Sequence, residues 1–248
     1  MMATVLQFAT LPDADTMTDR AQAFSTHSTT IDIAGETLTL LAERALYWPR
    51  TATLFIADPH FGKTDSFQAA GIPIPGGATG DDLARLARVL AATGAVRLVI
   101  LGDFFHTRAS QSREVTAALE NWRRDHQALE IVLVGGNHDR HAGPPPAALA
   151  IEQVAEPFAL APFACCHHPP ALFDAQPEGY ALAGHEHPAV VLRDVDSTHH
   201  RFPCFHVGAR AMVLPAFGTF TGGHTVRPRK GDRLFIVSDA FVHEVRGT

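Results

Sequence analysis

The chain has 248 residues, of which 46% are hydrophobic, and its formal net charge is −6 at pH 7. Its length and composition predict one globular domain with a sizeable core. The acidic balance argues against a broad basic face of the kind that binds nucleic acid non-specifically. A short basic strip, RPRKGDR (227–233), holds four cations against one aspartate, and we interpret it as a solvated loop.

The cysteines, the absence of a long apolar stretch and the N-terminal segment indicate the cellular setting. The three cysteines, of which Cys165 and Cys166 are adjacent, form no disulfide framework and favour a reduced, cytoplasmic protein. No stretch approaches the ~20 apolar residues that span a bilayer, and the N-terminus shows no secretory signal. Residues 1–30, rich in Thr, Ser and Asp, predict a flexible extension before a single domain at 31–248.

The first half of the chain alternates apolar runs with amphipathic segments. Buried strands are predicted at TATLFIAD (51–58), AVRLVILGD (95–103) and LEIVLVGG (129–136). Between them, DDLARLARVLAATG has leucines at helical spacing, and SQSREVTAALENWRRDH has an apolar face behind a serine cap. Strand, helix, strand, helix, strand is typical of a parallel sheet with crossover helices.

The second half changes character and predicts short strands with little helix. The apolar runs are FACCHH (163–168), YALAGH (180–185), AVVLRD (189–194), AMVLPAFG (211–218) and RLFIVSD (233–239). We expect a second sheet, mixed or mostly antiparallel, that faces the first.

Residues able to bind metal follow five of these runs. They are Asp58 and His60, Asp103, Asn137 and His138, His167 and His168, and His185 and His187. Turn chemistry explains Gly, Asn and Asp at strand ends, but it does not explain six histidines there. Ligands bind outside the carboxyl ends of strands in open α/β sheets. Carboxylate, imidazole and amide groups together suit Mn²⁺, Fe²⁺, Co²⁺ or Zn²⁺.

The order of these motifs carries a family resemblance. D-x-H, G-D, G-N-H-D, H-H-P and G-H-x-H, in this order over residues 58–187, resemble the calcineurin-like metallophosphoesterases. ALYWP, IADPHFGK, GIPIPGG, LGDFFH and LPAFGTFTGG resemble the bacterial ligase-associated DNA-damage-response endonuclease group, the PdeM type. The resemblance implies a four-layer α/β sandwich, in which two facing mixed β-sheets are flanked by helices.

The resemblance also implies two divalent metal ions, for which we expect Mn²⁺. One ion would be held by Asp58, His60, Asp103 and His187, and the other by Asp103, Asn137, His167 and His185. Asp103 would bridge the two ions. Two ions roughly 3.5–4 Å apart clamp a phosphate and carry a bridging hydroxide that attacks phosphorus.

Two further histidines are candidate catalytic residues. His138 follows the ligand Asn137 and would act as general acid or charge stabiliser at the leaving oxygen. Many relatives have an aspartate three residues after the bridging one, and it orients the catalytic histidine; here GDFFH places His106 there. Asp139, His106 or water could therefore orient His138. His106 itself could share the proton-donor role or cap a helix. Lys63 could contact a substrate phosphate, but we interpret it as a solvated loop residue.

The resemblance implies a phosphodiesterase, specifically a nuclease or endonuclease that acts on DNA in repair, in functional association with a DNA ligase and helicase system. The shared motifs leave a phosphomonoesterase or a nucleotide pyrophosphohydrolase open, because substrate choice lies in the loops. A metal-binding scaffold without catalysis would show a damaged ligand set, which this sequence does not. The acidic balance favours a short end or a small diester over long DNA.

Overall fold

The computed structural model describes residues 28–170, 177–193, 198–239 and 241–245. The predicted N-terminal extension lies outside these residues, apart from its last three positions, 28–30, which begin the first strand. The described residues form two β-sheets and four α-helices.

The first sheet has seven strands that lie in the order of the chain. They are β1 (Ser28–Ile33), β2 (Glu36–Leu41), β3 (Ala45–Trp48), β4 (Thr53–Ala57), β5 (Arg97–Leu101), β6 (Glu130–Val134) and β7 (Glu152–Val154). Strands β1 to β4 pair antiparallel, and strands β4 to β7 pair parallel. The parallel half contains the three strands that the sequence predicts.

The helices are α1 (Lys63–Ala69), α2 (Ala78–Thr93), α3 (Arg113–Asp125) and α4 (Asn137–Ala142). The crossover from β4 to β5 contains α2, which ends at Gly94 in the left-handed conformation. The crossover from β5 to β6 contains α3, whose first turn is capped because the Ser112 hydroxyl accepts from the Val115 N–H at 3.1 Å. Both crossover helices confirm the sequence prediction. No helix among the described residues is long and apolar enough to cross a membrane.

The second sheet has nine strands and is mixed. They are β8 (Phe158–Leu160), β9 (Phe163–Cys165), β10 (Tyr180–Ala183), β11 (Pro188–Arg193), β12 (His199–Val207), β13 (Ala211–Val213), β14 (His224–Thr225), β15 (Arg233–Ser238) and β16 (Phe241–Val245). Strand β10 pairs parallel with both β9 and β13, whereas β12 pairs antiparallel with β11, β13 and β15. This arrangement confirms the predicted mixed sheet.

Successive side chains along the central strands point to opposite faces of the sheet and divide the core into two layers. In β4, Phe55 and Ala57 belong to the cluster between the sheets, and Leu54 and Ile56 belong to the cluster under α2 and α3. Because the parallel strands are buried on both faces, they are continuous apolar runs, and the sequence therefore predicts them. A smaller cluster on the outer face of the second sheet receives no residue from the described helices. The three cysteines are buried and free.

The segment after β13 ties the two sheets together beside β4. The Phe217 N–H donates to the Ala57 carbonyl at 2.7 Å, and Ala216 forms a parallel bridge with Ala57. From α2, Arg85 donates to the Phe217 carbonyl and Asp82 accepts from the Thr219 N–H. These bonds hold the carboxyl end of β4 against the second sheet.

Candidate metal centre

Five strand ends bring their polar side chains to one place. Strands β4, β5 and β6 are parallel neighbours in the first sheet, and β9 and β10 are parallel neighbours in the second. Four overlapping groups have ligand atoms within 4.8 Å of one another: His60, His106 and His138; His167, His168 and His185; Asp58, His60 and His187; and Asp58, Asp103 and His167. Each predicted His or Asp site residue belongs to at least one group, and the remaining one, Asn137, contacts His167.

Five of these residues have a backbone in the left-handed region. The φ angles are 50° at Asp58, 45° at His60, 52° at Asp103, 70° at His185 and 44° at His187. Such angles are uncommon outside glycine, and they cluster at functional sites where the surrounding structure enforces them. The enforcing bonds join residues that are distant in the chain, such as His185 N–H to Asp58 Oδ2 at 2.9 Å and His60 N–H to the Asp103 carbonyl at 3.0 Å. The strand ends therefore turn sharply and direct consecutive polar side chains into one cleft.

Glycines make room for the ligands at two of these ends. A Cβ at Gly102, where φ is 82°, would overlap the His167 ring. A Cβ at Gly136 would overlap the Asp103 carboxylate and its backbone nitrogen. Both glycines of the G-D and G-N-H-D motifs are thus required by close approach of a site side chain, in addition to the turn itself.

The first cluster contains Asp58, His60, Asp103 and His187, and three of its buried polar atoms lack hydrogen-bond partners among the described residues. His60 Nε2 lies 3.7 Å from Asp103 Oδ2, and His187 Nε2 lies 3.5 Å from Asp58 Oδ1. Buried Asp58 Oδ1, His60 Nδ1 and His187 Nε2 have no hydrogen-bond partner in the described part of the chain. Buried polar atoms without partners are costly. A divalent cation would satisfy them, so this donor set fits a metal ion.

The second cluster contains Asp103, Asn137, His167 and His185. His167 Nδ1 lies 3.1 Å from the Leu101 carbonyl, which can only accept, so Nδ1 carries the hydrogen and Nε2 presents its lone pair. That nitrogen lies 2.9 Å from Asn137 Oδ1, 3.1 Å from His185 Nδ1 and 3.5 Å from Asp103 Oδ1. Acceptor atoms that face one another in this way fit a cation between them.

Asp103 belongs to both clusters. Its Oδ2 faces His60, whereas its Oδ1 faces His167 and accepts from the His138 N–H at 2.9 Å. Burial, followed by the charge of the neighbouring Asp58, raises the pKa of Asp103 to about 8. The Asp103 carboxylate is therefore fully ionised at neutral pH only when positive charge lies beside it.

His138 lies at the rim of the first cluster and is oriented by a backbone carbonyl. Its Nδ1 donates to the His106 carbonyl at 2.6 Å, so Nε2 is the nitrogen that faces the cleft, 4.0 Å from Asp103 Oδ2. The side chain is 34% exposed, in contrast to the buried Asp103. Asp139 has another role, because it accepts from the N–H groups of Asp103, Phe104 and Gly136 at 2.8–2.9 Å. Of Asp139, His106 and water, it is His106 whose main-chain carbonyl contacts the His138 ring and orients it.

The His106 ring forms part of an aromatic stack. It lies 4.8 Å from the His138 ring at 26° and 6.0 Å from the Phe67 ring at 18°. Burial, then the charge of Lys63 and then that of His138, lower the pKa of His106 to about 4, so its imidazole is neutral at neutral pH. His106 caps no helix; Thr107 caps the 3-10 turn that follows.

Lys63 is the first residue of α1 and is half-buried, so its interpretation as a solvated loop residue is wrong. Burial lowers the pKa of Lys63, and the carboxylates of Asp103 and Asp58 oppose that shift. Its ammonium group therefore lies within the electrostatic field of the Asp103 and Asp58 carboxylates.

Glu156 supports the histidine pair and was not found from the sequence. Its carboxylate accepts from the N–H groups of His167 and His168 at 2.8 and 2.9 Å, and it bonds His168 Nδ1 at 2.6 Å. The His168 ring in turn lies 4.5 Å from the His185 ring. Glu156 thus fixes the loop that presents His167. Its place in the sequence, eleven residues upstream of His167, gives no signal of this role.

Glu156→Gln should weaken metal binding about 10–100-fold while the fold persists, because groups that orient ligands typically have that effect. Isothermal titration of metal-free protein with Mn²⁺ measures the dissociation constant. Glu152→Gln is the matched control, since Glu152 is an exposed carboxylate on nearby β7. Equal dissociation constants for both variants and the unmodified protein would show that Glu156 does not position the ligands.

Residues 52–206 match the family model of the calcineurin-like phosphoesterases. The chain therefore belongs to the calcineurin-like phosphoesterase family, and it is a metal-dependent phosphoester hydrolase. Among solved structures it is similar to the nuclease MPE of Pseudomonas putida, with 41% sequence identity and a TM-score of 0.75 over 87% of this chain and 100% of that one. The phosphoesterase Yfce of E. coli shares 14% identity and a TM-score of 0.37 over 75% of this chain and 87% of that one. No curated protein sequence matches the chain.

Proposed function

We propose that the chain is a dinuclear metal-dependent phosphodiesterase that cleaves DNA as a nuclease. The observation that carries this proposal is the pair of ligand clusters joined by one shared carboxylate, Asp103. The 41% identity to a nuclease supports a nucleic acid substrate. The motifs shared with the ligase-associated group support a place in DNA repair beside a DNA ligase and helicase.

The two clusters divide the ligands as the resemblance implies. Asp58, His60, Asp103 and His187 would hold one ion, and Asp103, Asn137, His167 and His185 the other. When bound, such ions activate water as the nucleophile and neutralise charge on the phosphate oxygens. Imidazole and carboxylate ligands with no cysteine among them suit Mn²⁺, Fe²⁺, Co²⁺ or Zn²⁺, and of these Mn²⁺ is the ion we propose on the family resemblance.

Residues of the chain complete the reaction at the leaving oxygen. As the ester P–O bond breaks, the departing oxygen takes a proton from Nε2 of His138, while Nδ1 keeps its hydrogen bond to the His106 carbonyl. Lys63 lines a small pocket together with His60, a proposed metal ligand, and would place its ammonium against a phosphate oxygen. His106 supplies its carbonyl and a neutral ring that packs against His138.

Protein stripped by a chelator should have no phosphodiesterase activity and should regain it with Mn²⁺. The physical reason is that the ions would supply the activated water and the positive charge at the phosphate, and Asp58 Oδ1, His60 Nδ1 and His187 Nε2 have no hydrogen-bond partner among the described residues. Rates on bis(p-nitrophenyl) phosphate, measured before and after addition of Mn²⁺, Co²⁺, Fe²⁺ or Zn²⁺, check this and rank the metals. Full activity of the stripped protein without divalent metal would refute the proposal.

The substrate class is tested by assaying the Mn²⁺-loaded protein on a phosphodiester, a phosphomonoester, and labelled single- and double-stranded DNA side by side. We expect cleavage of the diester and of DNA. A preference for the monoester, with DNA left intact, would make the protein a phosphomonoesterase on the same metal site.

A further inference from the structure

A groove with a volume of about 960 Å³ opens beside the metal centre on the side of the second sheet. His185, one of the clustered histidines, lines it, so the groove is continuous with the centre. Its other walls come from the turn between β12 and β13 and from the segment between β14 and β15. That segment contains the strip RPRKGDR (227–233), for which the sequence alone favours a solvated loop.

Four cations line this groove and are exposed: Arg210, Arg227, Arg229 and Lys230. Within the described residues, none of their side chains forms an ion pair with a carboxylate. The groove also contains the carboxylates of Glu186 and Asp232. The Asp232 carboxylate is already engaged, because it accepts from the Arg229 N–H and bonds His206 Nε2, each at 2.8 Å.

The charge of the groove is opposite to that of the rest of the chain. The sequence has 20 Lys and Arg against 26 Asp and Glu. Four cations and two carboxylates lie in the groove, which leaves 16 cations against 24 carboxylates elsewhere. A basic groove on an acidic protein, open to a metal centre, raises the local concentration of an anionic ligand and guides it to that centre.

We propose that this groove binds the sugar-phosphate backbone of a nucleic acid strand on one side of the phosphodiester held at the metal centre. The inference rests on the proposed function and adds the path of the substrate. Unpaired Arg and Lys side chains along a groove match the repeating phosphates of a strand. A few such contacts suffice for a short segment, which accounts for how an acidic chain can act on DNA.

The test compares two triple variants that remove the same charge. Arg227→Ala/Arg229→Ala/Lys230→Ala removes three of the four cations of the groove, whereas Arg88→Ala/Arg97→Ala/Arg124→Ala removes cations from α2, β5 and α3, away from the groove. With Mn²⁺ bound, kcat/KM is measured on a labelled single-stranded oligonucleotide between 50 and roughly 300 mM salt, and on bis(p-nitrophenyl) phosphate.

The groove variant should lose on the order of 10–100-fold in kcat/KM on the oligonucleotide at ~0.1 M salt, and its logarithmic salt slope should become shallower by about 2. Its rate on the small diester, which cannot span the groove, should equal that of the control variant and thereby show an intact fold and metal centre. Equal oligonucleotide kinetics for the two triple variants would overturn the groove assignment and leave the nuclease proposal standing. Failure of the unmodified protein to cleave any nucleic acid while it hydrolyses the small diester would instead overturn the nuclease proposal.

Discussion

Asp103→Ala should lose both metal ions and lower phosphodiesterase kcat/KM by ~10⁴-fold or more. Asp103 faces both ligand clusters, through Oδ2 toward His60 and through Oδ1 toward the lone-pair nitrogen of His167. Asp58 also approaches the second cluster, but there it faces His167 Nδ1, which carries the hydrogen, and the His185 N–H. Without it, the second cluster has no carboxylate and the first keeps three ligands in place of four, so neither ion should survive dialysis, and the stabilisation by two ions, worth several kcal/mol, is lost. Elemental analysis of dialysed protein counts the ions, and initial rates measure the activity.

Asp58→Ala provides the contrast for this prediction. Asp58 faces His187 and its carboxylate belongs to the first cluster, so this variant should keep one ion per chain. Asp103→Asn preserves the volume of the side chain and an acceptor for the His138 N–H, and it repeats the test if the alanine variant is unstable. Two ions per chain in either Asp103 variant would rule out the shared carboxylate.

His138→Ala should keep both ions and the fold, while turnover on an unactivated diester falls by something like 10²–10⁴, the usual range for general acid catalysis. The loss should shrink for a nitrophenyl leaving group, which departs without a proton. The reason is positional: Nε2 of His138 faces the cleft at 4.0 Å from Asp103 Oδ2, and the ring is partly exposed. Metal content is measured beside rates on both substrates.

Two histidine variants separate the roles in that experiment. His106→Ala keeps the carbonyl that orients His138 and removes only the stacked ring, so its loss should be modest. His185→Ala should lose metal, and its defect should not depend on the leaving group. An equal defect of His138→Ala on both substrates, together with lost metal, would make His138 a ligand instead of the general acid.

The parallel half of the first sheet and its two crossover helices could be predicted because each buried strand is a continuous apolar run. The strands β1 to β3 could not, since Glu36–Leu41 and its neighbours mix polar and apolar residues without a clear run. Strand β12 was also missed; it runs over His199–Val207 and places three exposed residues before its buried end. Whether such segments form strands depends on their pairing with segments distant in the chain, and the local pattern of polar and apolar residues does not determine it.

The positions of the candidate site residues could be read from strand ends, but their geometry could not. Nothing in the letters D-P-H shows that both Asp58 and His60 adopt positive φ. The orientation of His138 depends on a main-chain carbonyl, which is present at every residue and therefore leaves no mark in the sequence. Glu156 lies between β7 and β8, and the antiparallel pairing of β8 with β9 brings it to His167.

The role of the basic strip at 227–233 on the protein surface could not be predicted from the sequence either. The sequence shows the charges of the strip. Their proposed role in binding depends on Arg210 and His185, which are distant in the chain and line the same groove. Sheet topology brings them together, because β14 pairs with β11 and β12 pairs with β13.

The most direct test of the dinuclear centre is a crystal structure of the Mn²⁺-loaded protein with anomalous diffraction measured at the manganese edge. The account predicts two anomalous peaks about 3.5–4 Å apart. One should lie within bonding distance of Asp58, His60 and His187, the other within bonding distance of Asn137, His167 and His185, and Asp103 should contact both. A single peak, or a peak bound by other residues, would contradict it.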